Sequence, residues 1–371
     1  MLEITNLRNG AVLDSNSGIE RADYLEITVE GLASAQSHVM VNGKIAERCD
    51  RNFSCNVRLQ ERVNNIEVKA VDYYGERTQK ITVMWDKASF KRYSFFFDDC
   101  IFFLRWIALN KPASIFEEQF LKHLKSINEK YGSKFLLNLF AFDDHHRDFS
   151  ITDFPDSYKE EFRRNSDWLK LSFHARSEFP DRPDQNASGE VIAADYDLIY
   201  NEVCRFAGKE SFMPPLVLHW AMTHPENFAV LKERGTRCLI APFIGSKTSL
   251  TEAHSFAVTD IGFHYEKDVA EYISRKHIFY DNFHDLVLHD NLLCCNYDSQ
   301  EEIQNKFAQW EQSPLDTVSL MTHEQYSYSD YFNYIPDHLD RVELSCKLAT
   351  EKGYKPVFFT PGLLGNTSWE K

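Results

Sequence analysis

Apolar and polar residues alternate strictly along much of the first 88 positions of this chain. Tyr24-Leu-Glu-Ile-Thr-Val-Glu30 changes character at every step, and Ser37–Val41, Phe53–Val57 and Asn65–Val71 do the same. A period of two turns one face to a core and the other to water, so these runs predict strands. Turn residues separate them: Asn42-Gly43, Asp50-Arg51-Asn52 and Tyr74-Gly75. Asn-Gly between two strand patterns marks a two-residue hairpin, because both positions need φ above zero. Thr78–Trp85 adds a last strand, and Asp86-Lys87-Ala88 reads as a link. Short strands at this spacing predict a small all-β sandwich over 1–88.

From 89 to 371 the pattern changes to apolar strands alternating with helical stretches. Strands are expected at 93–97, 135–142, 169–173, 216–218, 238–242, 286–295, 318–321 and 357–359. Apolar residues at helical spacing predict helices over 116–131, 193–206, 226–234, 301–312 and 336–352. Gly132, Gly208, Gly235 and Gly353 follow four of these as C-caps. Repeated strand–helix units imply a parallel sheet, open or closed into a barrel, with its site beyond the carboxyl ends of the strands.

Those ends carry the candidate chemistry. The first apolar run ends in Asp98-Asp99, the second in Asp143-Asp144-His145-His146, the third in His174, the fourth in His219-Trp220 and a late one in His323-Glu324. Aspartate suits strand interiors poorly, so the first pair is expected in the loop just beyond, where the bland alternative is a helix cap. Five strand ends bearing Asp or His point to a divalent ion held by imidazole and carboxylate, zinc first, with manganese, cobalt or nickel open. His174, His219 and His323 are the stronger candidates. His145 and His146 precede a solvated Arg147-Asp148, and His224, His264, His277, His284, His289 and His338 read as structural.

Length and charge narrow the partners. A chain of 371 residues suggests two or three domains, and 43% hydrophobic residues can build a large core. The net charge of −15 argues against nucleic acid or an anionic membrane as partner. No run approaches the ~18 apolar residues of a membrane span, so no membrane insertion is expected. No leader pattern follows Met1, so the chain reads as cytoplasmic as it stands, with export after removal of a signal left open. Eight cysteines show no metal-binding spacing. Cys49 and Cys55 would bridge a hairpin in an exported protein and stay free thiols otherwise.

At the same strand ends the chain resembles the polysaccharide deacetylase (NodB-homology, carbohydrate esterase family four-like) superfamily. Phe96-Phe97-Asp98-Asp99 is similar to its first motif, Leu171-Ser172-Phe173-His174 to its second and Leu320-Met321-Thr322-His323 to its last. The order agrees over about residues 90 to 360. The resemblance implies a distorted (β/α) barrel and metal-dependent removal of acetyl groups from N- or O-acetylated sugars, so an acetylated oligo- or polysaccharide is the expected substrate. By position it makes Asp98 the general base, Asp99 and His174 metal ligands, and His323 the general acid. The family's further His, four residues after the first, is Glu178 here. Either Glu178 or His219 would complete the ligand set; His219 preserves the charge of the site, leaving Glu178 to substrate. Trp220 could stack on a sugar ring, and Arg176, Arg182 and Tyr326 are groove candidates. The Arg-Pro and Asp-Trp motifs of the family have no counterpart, and Asp167-Trp168 precedes its strand. The N-terminal sandwich resembles the immunoglobulin-like modules of bacterial carbohydrate enzymes.

Two other readings remain. A metal-independent glycoside hydrolase would set Asp98 against Glu324 or Glu178 across a glycosidic bond. A carbohydrate-binding or assembly protein could keep the same fold without turnover.

Overall fold

The computed structural model describes residues 1–180, 182–243, 261–290, 293–311 and 315–370, with backbone alone at 262 and 263. Asp181, Gln312 and residues 291–292, which fall within segments discussed above, lie outside the described residues. The chain divides into two compact units. One comprises Met1–Phe90, Ile278–Val287 and Asn366–Lys371; the other comprises Lys91–His277 and Leu288–Gly365.

The first unit holds two five-stranded sheets. One runs Leu2–Ile4, Leu25–Ala33, Asn52–Leu59, Glu47–Cys49, with Ile19–Glu20 paired to Leu25–Ala33. The other runs Val12–Leu13, Gly75–Trp85, Val63–Asp72, His38–Val41, Lys44–Ile45. Alternation in the sequence becomes alternation in burial: Leu25, Ile27 and Val29 are buried from one sheet, and Ile66, Val68 and Ala70 from the other. Asn42 and Gly43 take φ of 47° and 78° and let Val41 pair with Lys44, the hairpin that the dipeptide predicts. The bridge between Cys49 and Cys55 does not form, and all eight cysteines are free. Register explains it: Cys49 is exposed and lies opposite Asn52, while Cys55 is buried. Trp85 is fully buried; its Nε1 donates to Glu20 Oε1 at 2.7 Å and its carbonyl accepts from Trp369 Nε1 at 2.9 Å.

The second unit is mixed α/β with a parallel sheet. Its elements are β1 (Arg92–Cys100), α1 (Phe102–Asn110), α2 (Gln119–Tyr131), β2 (Phe135–Phe140), α3 (Lys159–Arg164), β3 (Leu169–Ala175), α4 (Gly189–Phe206), α5 (Phe228–Glu233), β4 (Cys238–Ala241), α6 (Lys267–Lys276), β5 (Leu293–Cys294), α7 (Gln300–Trp310), β6 (Thr317–His323), α8 (His338–Glu351) and β7 (Lys355–Pro356). The strand order is β3-β2-β1-β6-β5, all parallel, with β7 beside the start of β1. Every residue of β1 and β2 is buried. A parallel strand covered on both faces has no wet side to encode, hence the continuous apolar runs. Helices supply the cover; α2, for example, buries Phe120, Leu121, Leu124 and Ile127 at the spacing of one face.

Several boundaries differ from expectation. Leu216–Leu218 builds no regular ladder; the segment is tied by Met213 N to Leu171 O (2.9 Å) and by Ile240 N to Leu216 O (2.7 Å). Pro214 and Pro215 just before it have no N–H to give. The expected strand at 357–359 is instead the two-residue β7. Helices α1, α3 and α6 are additional to the expected five. The four C-cap glycines all take positive φ: 68°, 89°, 99° and 81° at Gly132, Gly208, Gly235 and Gly353.

Candidate active site

Consecutive residues of a strand face opposite ways, yet Asp98 and Asp99 reach the same place. Between Phe97 and Cys100, β1 advances three residues while β2 advances two, from Leu137 to Leu139. One residue is therefore extra, as in a β-bulge, and Asp99 absorbs it with φ of 59°. The pair thus sits inside the end of β1 rather than in the loop beyond it. Neither carboxylate caps α1, whose N-cap residue Ile101 makes no side-chain cap bond.

Three ligand atoms meet at this bulge. Asp99 Oδ1 lies 3.2 Å from His174 Nε2 at the end of β3 and 3.1 Å from His219 Nδ1, and the two nitrogens are 3.3 Å apart. All three residues are buried. A tetrahedral ion with bonds of about 2.0–2.1 Å holds its ligand atoms about 3.3 Å apart, so this triangle fits zinc or a similar ion. Its donor set of one carboxylate and two imidazoles is of the kind such ions take. Among the described residues the far ring atoms, His174 Nδ1 and His219 Nε2, are buried without a hydrogen-bond partner. Asp184 is 2% exposed and its Oδ2 is also unpartnered among the described residues; burial raises its carboxyl to about 7, with the charge of His219 pulling it back.

The two adjacent carboxyls are driven apart. Burial raises Asp98 to about 7, with Asp99 adding to the rise and His323 and a 2.7 Å bond from Asn138 Nδ2 opposing it. Burial acts on Asp99 too, but the charges of His323 and His219, with bonds from His174 and His219, hold it well below the usual carboxylate range. One carboxylate stays ionised while its neighbour is poised near neutrality, a division suited to separate chemical roles.

His323 ends β6 in register with Asp98. Its Nδ1 lies 2.9 Å from Asn296 Oδ1 and its Nε2 4.0 Å from Asp99 Oδ2. Thr322 Oγ1 also donates to Asn296 Oδ1 (3.0 Å) and meets His338 Nε2 at 2.6 Å; His338 Nδ1 meets Ser327 Oγ at 2.8 Å. A buried chain of hydrogen bonds therefore backs His323 and fixes its ring. Asn138 and Asn296 were invisible as site residues, although a lone Asn inside Phe135-Leu-Leu-Asn-Leu-Phe140 is a usable signal.

His338 carries a pH prediction. Burial lowers it to about 3, helped by the charges of His323 and Arg341, so it folds neutral. The unfolded chain takes up that proton below about 6.5 and the folded chain does not, so its contribution is complete above that pH and is lost on acidification toward 3. In urea unfolding, the stability of wild type minus that of His338→Gln should fall by about 1.4 kcal/mol per pH unit between about pH 6 and 4. A flat difference would refute a neutral buried His338.

The remaining candidates are placed elsewhere in this unit. Glu178 is not among the converging ligands; its Oε2 lies 2.5 Å from His145 Nε2 and accepts from Gln325 Nε2 at 2.9 Å. Asp143 braces the turn, accepting from the backbone of His145 and His146 and, at 2.8 Å, from His146 Nδ1. Glu324 is fully buried and turned away from the cluster: it accepts from the N–H groups of Ile101, Phe102 and Phe103 at 2.7, 3.0 and 2.6 Å. It caps α1 and cannot flank a glycosidic bond, which removes it from the glycosidase pair. The Arg182 guanidinium lies 5.3 Å from the centre of the Trp220 ring, Arg176 pairs with Asp195 at 3.1 Å, and Tyr326 lies beside His323 with ring centres 5.9 Å apart.

No protein-family model and no curated protein matches the chain. Among solved structures, it is similar to a Bordetella bronchiseptica protein provisionally described as a polysaccharide deacetylase involved in O-antigen biosynthesis. That match has 13% identity and a TM-score of 0.32, over 76% of this chain and 90% of that one. A Bacteroides ovatus GH5 xyloglucanase with a bound heptasaccharide matches at 10% identity and TM-score 0.26, over 95% and 99%. A Bacteroides fragilis protein provisionally described as an alpha-galactosidase matches at 10% and 0.32, over 95% and 78%. Likenesses at these scores carry no argument about activity, which rests on the residues above. Among the described residues no helix is long and apolar enough to cross a membrane.

Proposed function

We propose that this chain is a metal-dependent hydrolase that removes acetyl groups from an N- or O-acetylated carbohydrate, on a distorted (β/α) barrel. The observation that carries the reading is the buried triangle of Asp99, His174 and His219 beside a second, differently tuned carboxyl, Asp98. The three ligands would hold a divalent ion, zinc first. Bound there, such an ion polarises an acyl oxygen and acidifies water.

Asp98, raised toward neutrality and held by Asn138, takes the proton of the attacking water. His323 faces it across the β1–β6 pair. As an imidazolium it keeps Nδ1–H on Asn296 and gives the Nε2 proton to the departing amine or alkoxide. Asp184 is a buried carboxyl close enough for the charge of His219 to act on it. The N-terminal unit is read as an immunoglobulin-like module.

Incubation of the purified chain with a strong chelator should end acetate release from acetylated oligosaccharides, and about one equivalent of zinc should restore it. Acetate release that survives removal of all divalent metal would overturn the reading.

A further inference from the structure

A neutral imidazole that gives one ring nitrogen to an ion carries its proton on the other. At both histidines of the proposed ion site that other nitrogen is buried, so its N–H needs an acceptor. His174 faces one: its Nδ1 lies 3.8 Å from Asp98 Oδ1. His219 meets the triangle through Nδ1, which leaves Nε2 to carry the proton, and among the described residues Nε2 has no partner. The tautomer matters. With its proton on Nδ1 instead, His219 would donate to Asp99 Oδ1, 3.1 Å away, and that nitrogen could not bind an ion.

A matching acceptor stands close by. Asp184 is buried, and its Oδ2 is likewise unpartnered among the described residues. A buried carboxylate oxygen without a donor is costly, as is a buried N–H without an acceptor. The turn that carries Asp184 is docked on the segment that carries His219. On one side of Asp184, the Arg182 guanidinium lies 5.3 Å from the ring centre of Trp220, the residue after His219. On the other side, Ala187 O accepts from Asn227 Nδ2 at 3.1 Å, and the same amide donates to Thr223 Oγ1 at 3.2 Å. The Asp184 carbonyl closes the turn by accepting from Ala187 N at 3.4 Å. Gly189, the first residue of α4, fixes the exit: a Cβ there would stand 3.0 Å from Val230 Cγ2 on α5. Asp184 is thus held between two anchors to residues 220–227, and the charge of His219 reaches its carboxyl.

We propose that Asp184 is a positioning residue of the ion site: it accepts a hydrogen bond from Nε2–H of His219, directly or through one water, and so keeps Nδ1 free for the ion. The inference rests on the ion site of the hydrolase reading and is independent of the substrate. Each of the two orphaned atoms supplies what the other lacks, one a donor and one an acceptor. Partners of this kind hold the tautomer and ring orientation of a metal-binding histidine and raise its basicity.

The test compares the full chain as wild type, Asp184→Ala and Asp184→Asn. Zinc affinity is read by competition with a chromophoric chelator, and the zinc-free proteins are unfolded in urea. Asp184→Ala should bind zinc about 10–100-fold more weakly, the range that such partners carry. Asp184→Asn keeps an uncharged acceptor and should recover part of that loss. The zinc-free variants should be at least as stable as the zinc-free wild type, because a buried, unpaired carboxyl has been removed. A role confined to holding the turn together would do the reverse, lowering zinc-free stability. Unchanged zinc affinity in Asp184→Ala, or a loss of affinity that tracks a loss of zinc-free stability, overturns the inference and leaves the ion site standing. If the wild type itself binds no zinc, the hydrolase reading falls, and this inference with it.

Discussion

Asp99→Ala is expected to strip the chain of its divalent ion while Asp98→Asn keeps it, and both are expected to lose acetate release. The difference follows from the geometry. Asp99 Oδ1 is one corner of the triangle with His174 and His219, and alanine leaves two imidazoles that no longer close a site. Asp98 stands outside the triangle, 3.8 Å from His174 Nδ1 through its Oδ1, and asparagine can keep the bond to Asn138 with its own carbonyl. Elemental mass spectrometry of the two purified variants should therefore read near zero and near one ion per chain. Turnover should fall by about 10²–10⁴ in Asp98→Asn, the range that a lost general base costs. It should fall further in Asp99→Ala, which loses the Lewis acid as well. Full ion content in Asp99→Ala, or undiminished turnover in Asp98→Asn, would contradict the assigned roles.

The second large effect concerns stability. Glu324→Ala is expected to cost about 3–9 kcal/mol in urea unfolding, because three buried N–H groups lose their acceptor together at about 1–3 kcal/mol each. The residue also accepts from Tyr328 Oη at 3.0 Å and puts a carboxylate at the positive end of α1. Burial pushes its carboxyl up to about 8 against the three N–H donors that pull the other way. Glu324→Gln keeps the shape but must aim an amide N–H₂ at one backbone donor, so about 1–3 kcal/mol is expected. Folded Glu324→Gln should retain kcat within a few-fold; a loss like that of Asp98→Asn would return Glu324 to the chemistry.

What was legible in the sequence follows from how local the cause is. The alternation of Leu25–Ala33 and the Asn42-Gly43 turn are local, and they read correctly. The convergence of Asp99 and His174 was legible because a parallel sheet delivers its strand ends to one place; His219 joins them from a segment that forms no strand. The bulge that turns two successive aspartates the same way could not be seen, since it is defined by β2 rather than by β1. Helix α1 was missed for a related reason: its cap is supplied by Glu324, far away in sequence, so no capping residue precedes Phe102. Leu216–Leu218 looked like a strand because periodicity says nothing about the N–H groups that two preceding prolines withhold. Glu178 had the spacing of a ligand but found His145 as a nearer partner.

The tie between Glu324 and the start of α1 joins positions 223 residues apart. Its two ends flank the proposed acid and base, because Asp98 and His323 are neighbours on β1 and β6. The first and last long strands of this unit must therefore meet before either residue is set, and contacts of such separation close late in folding. A nascent chain lacking β6 already carries Asp98, Asp99, His174 and His219, yet has neither the proposed acid, His323, nor Glu324, the cap for α1. On the proposed reading, competence thus arrives at the end of synthesis rather than growing with it, since a chain stopped short of residue 317 lacks the proposed acid, His323.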